Sequence, residues 1–361
     1  MRSIPGVAVL KNEPVKVLLT GIGGGGHGEQ IMKALRLGEL KYNIIGTDIS
    51  DACANRNRVD TFVKLPRATD PRYLDEVSAL ARAHKCVAIF HGSEPEMMVL
   101  SRSRSILEGE GIYTPVNPPS VLDVCQDKAR TMAHLSLHGF RTPKFLEVWD
   151  LAHLESWDTL PAILKPSVGG GGSANVFIVQ SREELLTFSK YLLGVCECFI
   201  LQEYLGTPDE EYTVGVLFGK DGALINSIAI KRVINNALTI RTQVPNKTGR
   251  REFGSRLVIS TGISQGHVAD WQQVRSACEK IAATLSPIAP VNIQCRVVDG
   301  DVIPFEINPR FSGTTSLRAM AGYNEPDTLV RRDVFGQKIA PHFPYREMMI
   351  LRGLQEFALN I

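Results

Sequence analysis

The sequence predicts an α/β domain followed by an antiparallel α+β region. Three observations carry that prediction. The chain opens with strand, glycine-rich turn, helix and strand, the order of a parallel βαβ unit. Helix and strand patterns then keep alternating up to a proline-rich stretch, Pro115-Val116-Asn117-Pro118-Pro119. Beyond it, Asp221-Gly222 and Asp299-Gly300 mark hairpin turns between apolar runs.

Residues 15–20 (V-K-V-L-L-T) form the first expected strand, which Gly21 stops. The turn G-I-G-G-G-G-H-G follows, then a helix over 29–36 and an apolar strand over 43–46 ending at Asp48. Leu74, Val77, Leu80 and Ala81 share one side of a helix expected over 71–84. A short buried strand at 86–90 and a helix at 94–107 complete the first unit, placed at 1–118.

In the next unit, placed at 119–205, two helical stretches flank Asp127-Lys128. A strand at 161–166 carries Lys165, four glycines follow, and a strand resumes at 176–179. Ser181 and Glu184 form a capping-box signature for a helix over 181–193, and 199–202 reads as a strand. In the last unit, 206–361, hairpins are expected at 211–219 with 223–230 and at 291–298 with 302–307. The polar, basic stretch 242–255 reads as a mobile loop, and 267–285 as one long amphipathic helix.

Composition narrows the function. Of 361 residues, 44% are apolar and 22% charged, the balance of a folded chain. Lys plus Arg is 40 against 38 acids, a net charge of +2, so no nucleic-acid or membrane surface is expected. No apolar run approaches the roughly 18 residues of a membrane span, and no signal-peptide pattern opens the chain. The seven cysteines are scattered with no CxxC pair, which argues against structural zinc and a disulfide framework. A reduced, cytoplasmic enzyme is the expectation.

Four segments carry chemistry. Gly21, Gly23 and Gly26 fit G-x-G-x-x-G, with Asp48 where a ribose-binding acid of a dinucleotide site would stand. The same glycines also suit a tight turn that packs helix on strand. Lys165, followed by Gly169, Gly170, Gly171 and Gly172, offers an ammonium and backbone N–H groups to phosphates, although no G-K-[ST] makes it a Walker loop. Gln202-Glu203-Tyr204-Leu205 closes a strand and Glu211 opens the next, acids that are by themselves better explained by solvent. Glu306, Asn308 and Arg310 alternate on one face of a strand, and hairpin pairing brings Gln294 beside them. One carboxylate and two amide oxygens suit Mg²⁺, and Arg310 adds a fixed cation for phosphate charge.

The order D-K, K-P-x-x-G-G-G-G, Q-E-Y-L, E-Y-T-V, I-Q and E-I-N-P-R resembles the ATP-grasp superfamily, and most closely its carbamoyl-phosphate-synthase-like branch of carboxylate–amine ligases. The resemblance implies a Rossmann-like N-terminal domain followed by a two-subdomain ATP-grasp fold. It implies ATP and Mg²⁺ (or Mn²⁺) as cofactors, and small-molecule carboxylate and amine substrates joined through an acyl phosphate, with ADP and phosphate released. Amino-acid or small-peptide-like substrates are expected. By the same resemblance, Lys128 and Lys165 contact phosphates under the glycine loop, Gln202 to Leu205 bind adenine and Glu211 binds ribose. Gln294, Glu306 and Asn308 hold the metal, and Arg310 stabilises the transferred phosphoryl group.

For the substrate side, Glu94 and Glu96 are candidates to hold an ammonium group, though acids also suit a helix N-terminus. Arg232 and Arg241, with Lys247, Arg250 and Arg251, are candidates for a substrate carboxylate or a solvated face, and Ser312 for lining the site. The chain has one such half where carbamoyl phosphate synthase has two, and lacks a biotin-carrier-like signature, so neither of those reactions is expected. An NAD(P)-dependent oxidoreductase and a non-catalytic nucleotide-binding protein stand as alternatives. A homodimer is expected on base rate alone.

Overall fold

The computed structural model describes residues 13–169 and 174–358. Gly170, Gly171 and Gly172 therefore lie outside the described residues. The first domain runs β1 (Val15–Leu19), α1 (His27–Arg36), β2 (Tyr42–Asp48), β3 (Thr61–Lys64), α2 (Tyr73–His84), β4 (Ala88–Phe90) and α3 (Glu94–Gly109). Its four strands are parallel in the order β3-β2-β1-β4. β1 is central, so Val17, Leu18 and Leu19 are all fully buried, as a strand covered on both faces requires.

Helices α4 (Pro119–Cys125) and α5 (Lys128–Leu137) lead into β5 (Phe145–Val148), β6 (Ala162–Pro166), β7 (Phe177–Val179), α6 (Arg182–Leu193) and β8 (Phe199–Glu203). These strands form an antiparallel sheet ordered β5-β8-β6-β7. The Ser181 hydroxyl caps α6 by accepting from Glu184 N–H, as the Ser181/Glu184 spacing predicts.

The rest comprises β9 (Glu211–Phe218), β10 (Leu224–Arg232), β11 (Ile240–Pro245), β12 (Arg256–Ser260), β13 (Gly266–Ala269), α7 (Gln272–Ala283), β14 (Val291–Val298), β15 (Asp301–Asn308), α8 (Thr315–Met320), α9 (Glu325–Leu329) and β16 (Met348–Ile350). Six of these strands make one sheet, β15-β14-β9-β10-β13-β16, and β11-β12 make a separate ribbon. Both expected hairpins are present, with Asn292 opposite Asn308 and Gln294 opposite Glu306.

Two expectations are corrected. The stretch read as a loop contributes to the β11–β12 ribbon: Ile240, Thr242 and Val244 turn inward while Arg241, Gln243 and Pro245 face out. That alternation is a strand signal that the basic composition conceals. The long helix is shorter, because β13 takes residues 266–269 as a strand between β10 and β16. The three apolar-leaning residues ahead of Asp270 are too few to separate strand period from helix period.

Two joints fix the domains against each other. One apolar core contains Val17, Leu19 and Phe90 together with Leu217, Ile228, Phe311 and Tyr323. The proline-rich boundary is pinned by Asn117, which is fully buried. Its amide donates to Pro290 O and Pro309 O at 3.1 and 3.0 Å and accepts from Ile288 N–H. The boundary thus holds the backbone immediately before Arg310. Among the described residues no helix is long and apolar enough to cross a membrane.

Candidate active site

A cavity of about 760 Å³ is lined by the β6–β8 sheet, by β14 and β15, and by the glycine turn and α3 of the first domain. Its two lysines, Lys128 and Lys165, are placed by local chemistry. Asp127 caps α5, accepting from Ala129 and Arg130 N–H and from the Ser167 hydroxyl at 2.8 Å. Lys128 N–H donates to Ser167 O, and the Lys128 ammonium donates to Gly169 O at 2.9 Å. Lys165, at the end of β6, donates to Phe305 O at 3.1 Å. Burial pushes its ammonium down to about 8; Glu306 opposes that shift and Lys128 adds to it.

The row on the β14–β15 hairpin forms as spacing predicts. Gln294 donates to Glu306 at 3.2 Å and Asn308 donates to the other Glu306 oxygen at 3.1 Å. Arg310 donates to Asn308 Oδ1 at 3.1 Å. Among the described residues no group of three or more His, Cys, Asp or Glu could hold a metal. The donor set here is one carboxylate and two amides, which suits a hard divalent cation that takes its remaining oxygens from water and phosphates.

Gln202, Glu203, Tyr204 and Leu205 all line the cavity. Glu203 is tied to Lys144 by both backbone and carboxylate. The Tyr204 hydroxyl accepts from Val258 N–H at 2.8 Å, and Leu205 O accepts from Arg296 at 2.7 Å. The linker is therefore fastened to both neighbouring sheets.

Glu211 lines the cavity, but its charge is spent internally. Oε2 receives Nε and Nη2 of Arg296 at 3.1 and 2.9 Å, and Oε1 receives Arg232 at 2.7 Å and the Ser260 hydroxyl at 2.6 Å. Burial works against the Glu211 charge, yet the two arginines hold its carboxyl below the usual range. The carboxylate thus stands as the hub of a buried ion triad.

The remaining candidates divide. Glu94 and Ser312 line the cavity, and Glu94 pairs with Arg310 at 2.8 Å across the domain boundary. Glu96 does not line it. That side chain is buried, accepts from Gly92 N–H and the Ser93 hydroxyl, and has its carboxyl pushed up by burial. Arg232 is buried behind the wall and Arg241 sits on the outer face of the ribbon, so neither lines the cavity.

The glycine turn also resolves. Asp48 accepts Gly23 N–H at 2.6 Å, so the acid closes the turn itself instead of being turned out for a ribose. A Cβ on Gly28 would collide with Gly21 O, and one on Gly92 with Thr20 O. These glycines allow close packing of α1 and of the segment after β4 on β1. Gly25, Gly26 and His27 line the cavity.

Sequence reasoning missed Arg296, although Asn292, Gln294 and Arg296 alternate along β14 in a readable polar row. It also missed the apolar cavity wall of Met132, Ile163, Val176 and Ile259, whose residue types carry no signal beyond core.

Residues 125–314, more than half of the chain, match the family model described as an ATP-grasp domain. The chain belongs to the ATP-grasp family. Residues 17–115 match the PylC-like N-terminal domain. The carbamoyl phosphate synthase large chain of Thermoplasma volcanium is 23% identical over 269 residues, 70% of this chain and 24% of that protein. The alpha-aminoadipate–LysW ligase LysX of Sulfurisphaera tokodaii is 28% identical over 115 residues, 28% of this chain and 39% of that protein. This ATP-grasp chain thus spans well under half the length of either curated relative. N5-carboxyaminoimidazole synthetase from Staphylococcus aureus, solved with ADP, is similar over 93% of this chain and 80% of its own, with TM-score 0.63 and 16% identity. L-amino acid ligase from Bacillus licheniformis is similar over 91% and 78%, with TM-score 0.60 and 17% identity. At these identities the likeness is one of fold.

Proposed function

We propose that this chain is an ATP-dependent carboxylate–amine ligase acting on small molecules of amino-acid or small-peptide type. The observation that carries the reading is the row Gln294, Glu306, Asn308 and Arg310 facing Lys128 and Lys165 in one cavity. Neither lysine has an ion-pair partner among the described residues; both donate to backbone carbonyls. Two buried or half-buried ammonium groups with no carboxylate in direct ion-pair contact suit a polyphosphate. Mg²⁺ would be held by Glu306 with the amide oxygens of Gln294 and Asn308, and would neutralise phosphate charge.

In the proposed reaction one substrate carboxylate oxygen bonds to the γ-phosphorus. The bond from that phosphorus to the β,γ-bridging oxygen breaks, and ADP leaves with the electron pair. An amine nitrogen then bonds to the acyl carbon as the bond from that carbon to the phosphate oxygen breaks. Phosphate leaves, and the amine proton passes to solvent. The protein positions the reactants and neutralises charge; no covalent enzyme intermediate is required.

Thermal unfolding tests the nucleotide part. MgATP should raise Tm, by about 2.7 kcal/mol of stabilisation at roughly 100 times Kd. ATP with EDTA should raise it less, and NAD(P)H not at all. A shift with NAD(P)H and none with MgATP would restore the dinucleotide reading of the glycine turn.

A further inference from the structure

The charges at the first-domain end of the cavity point to a ligand class and to a direction of joining; this inference rests on the ligase reading above. Glu94 is the first residue of α3 and Arg310 lies two residues beyond Asn308. Arg310 donates through Nη2 and Nε to Glu94 Oε1, at 2.8 and 3.3 Å, and through Nη1 to Phe311 O. Only one Glu94 oxygen is used in the pair. Arg310 is 16% exposed and Glu94 42% exposed, and both line the cavity.

A ligand that takes the Nε and Nη2 edge of Arg310 must part this pair. A simple carboxylate would take Arg310 and leave Glu94 as an unpaired anion beside it. A simple amine would take Glu94 and strand the more buried Arg310. Both outcomes leave an uncompensated charge next to a like one. A molecule carrying both groups replaces one ion pair by two and keeps the local charge at zero.

We propose that Arg310 and Glu94 receive an amino acid as its zwitterion, carboxylate on Arg310 and ammonium on Glu94, and that this amino acid is the substrate whose carboxylate is phosphorylated. Arg310 continues the Glu306–Asn308 row, so the carboxylate lies on the side of the phosphates and metal. Glu94 comes from the other domain and draws the ammonium away from them. An ammonium held by Glu94 has its lone pair tied up in an N–H bond and cannot attack the acyl phosphate. The attacking amine therefore belongs to a second molecule. Glu96 cannot substitute for Glu94 in this role, being buried and bonded to Gly92 and Ser93.

Hydroxylamine trapping tests this without knowledge of the second substrate. Wild type, Glu94→Gln and Glu94→Asp are given MgATP, hydroxylamine and each of the common L-amino acids beside its des-amino analogue, and hydroxamate and phosphate are measured. Wild type should form hydroxamate from at least one amino acid, with kcat/KM about 100-fold above the des-amino analogue. Glu94→Gln should lower kcat/KM for the amino acid by about 100-fold and reduce the preference to a few-fold, while MgATP still raises its Tm. Glu94→Asp, which keeps the charge on a shorter arm, should keep the preference with a raised KM. Equal use of amino acid and analogue by wild type, or an unchanged preference in Glu94→Gln, overturns the inference and leaves the ligase reading standing. Hydroxamate from no acid at all, with MgATP still bound, sinks the ligase reading and this inference with it.

Discussion

The two ends of the cavity manage positive charge in opposite ways. At the end proposed to take phosphates, Lys128 and Lys165 point at carbonyls and have no ion-pair partner among the described residues. At the first-domain end, Arg310 is matched by Glu94, while Arg232 behind the wall and Arg296 in it are both matched by Glu211. Cations left uncompensated inside a protein call for an anionic ligand, whereas paired cations call for a neutral one or for none. The contrast separates cations that await an anion from cations whose charge is already answered, although all are basic residues near one cavity.

The largest effect is expected from breaking the internal pairing. Glu211→Ala leaves two buried guanidinium groups without their carboxylate and should destabilise the fold by about 3–5 kcal/mol. Urea unfolding of the ligand-free protein measures this. A variant as stable as wild type, but with weakened nucleotide binding, would return Glu211 to the ribose role that its place in the motif suggests.

Next comes Glu306→Gln, which removes the only carboxylate of the β14–β15 row. ADP release should fall by about 10²–10³-fold in kcat with stability nearly unchanged. The affinity for Mg²⁺ should drop together with kcat, and titrating MgCl₂ at fixed ATP separates metal loss from misfolding.

These two acids also show what was legible in the sequence. Glu306 was readable because strand period and hairpin register together determine which residues share a face, and both are local properties. The first domain was readable for the same reason: each βαβ step is written in neighbouring residues. Glu211 was readable as a motif position but not as a hub. Its partners Arg232 and Arg296 lie 21 and 85 residues away, and only the sheet order brings them together. The Glu94–Arg310 contact spans 216 residues and two domains, beyond any local pattern. Arg232 and Arg241 looked equivalent in sequence; one is sealed behind the cavity wall and the other is on the outer face of a ribbon.

A smaller, pH-dependent effect follows from Lys165. Burial first, and Lys128 after it, lower its ammonium to about 8, against partial opposition from Glu306. The bound triphosphate favours the protonated form, so binding takes up a proton above that pH. MgATP affinity should be flat below about pH 7.5 and weaken by up to about tenfold per unit above pH 8. For folding the sign is opposite. Between about 8 and the ordinary lysine value the unfolded chain holds the extra proton, so the contribution of Lys165 to stability rises with pH. Lys165→Arg keeps its charge throughout and should abolish the pH slope of binding, which calorimetry in buffers of different ionisation enthalpy reads as proton uptake. A wild-type slope that survives in Lys165→Arg would assign the titration to another group.

The smallest effect belongs to the linker acid. Glu203 lines the cavity, but its backbone N–H is given to Lys144 O at 2.8 Å and its carboxylate accepts Lys144 N–H at 3.1 Å. Among the described residues its carboxylate pairs with neither Lys128 nor Lys165, so under the proposed function a change there acts on a part of the nucleotide that does not change during phosphoryl transfer. Such contacts bind ground state and transition state alike and appear in KM, not in kcat. Glu203→Gln keeps the acceptor oxygen for Lys144 and should raise KM for ATP by no more than about fivefold with kcat intact. The comparison with Glu306→Gln is the decisive one, because both variants exchange a cavity-lining carboxylate for an amide of the same shape. A loss of kcat in Glu203→Gln as deep as in Glu306→Gln would mean that the two ends of the cavity had been told apart on the wrong grounds.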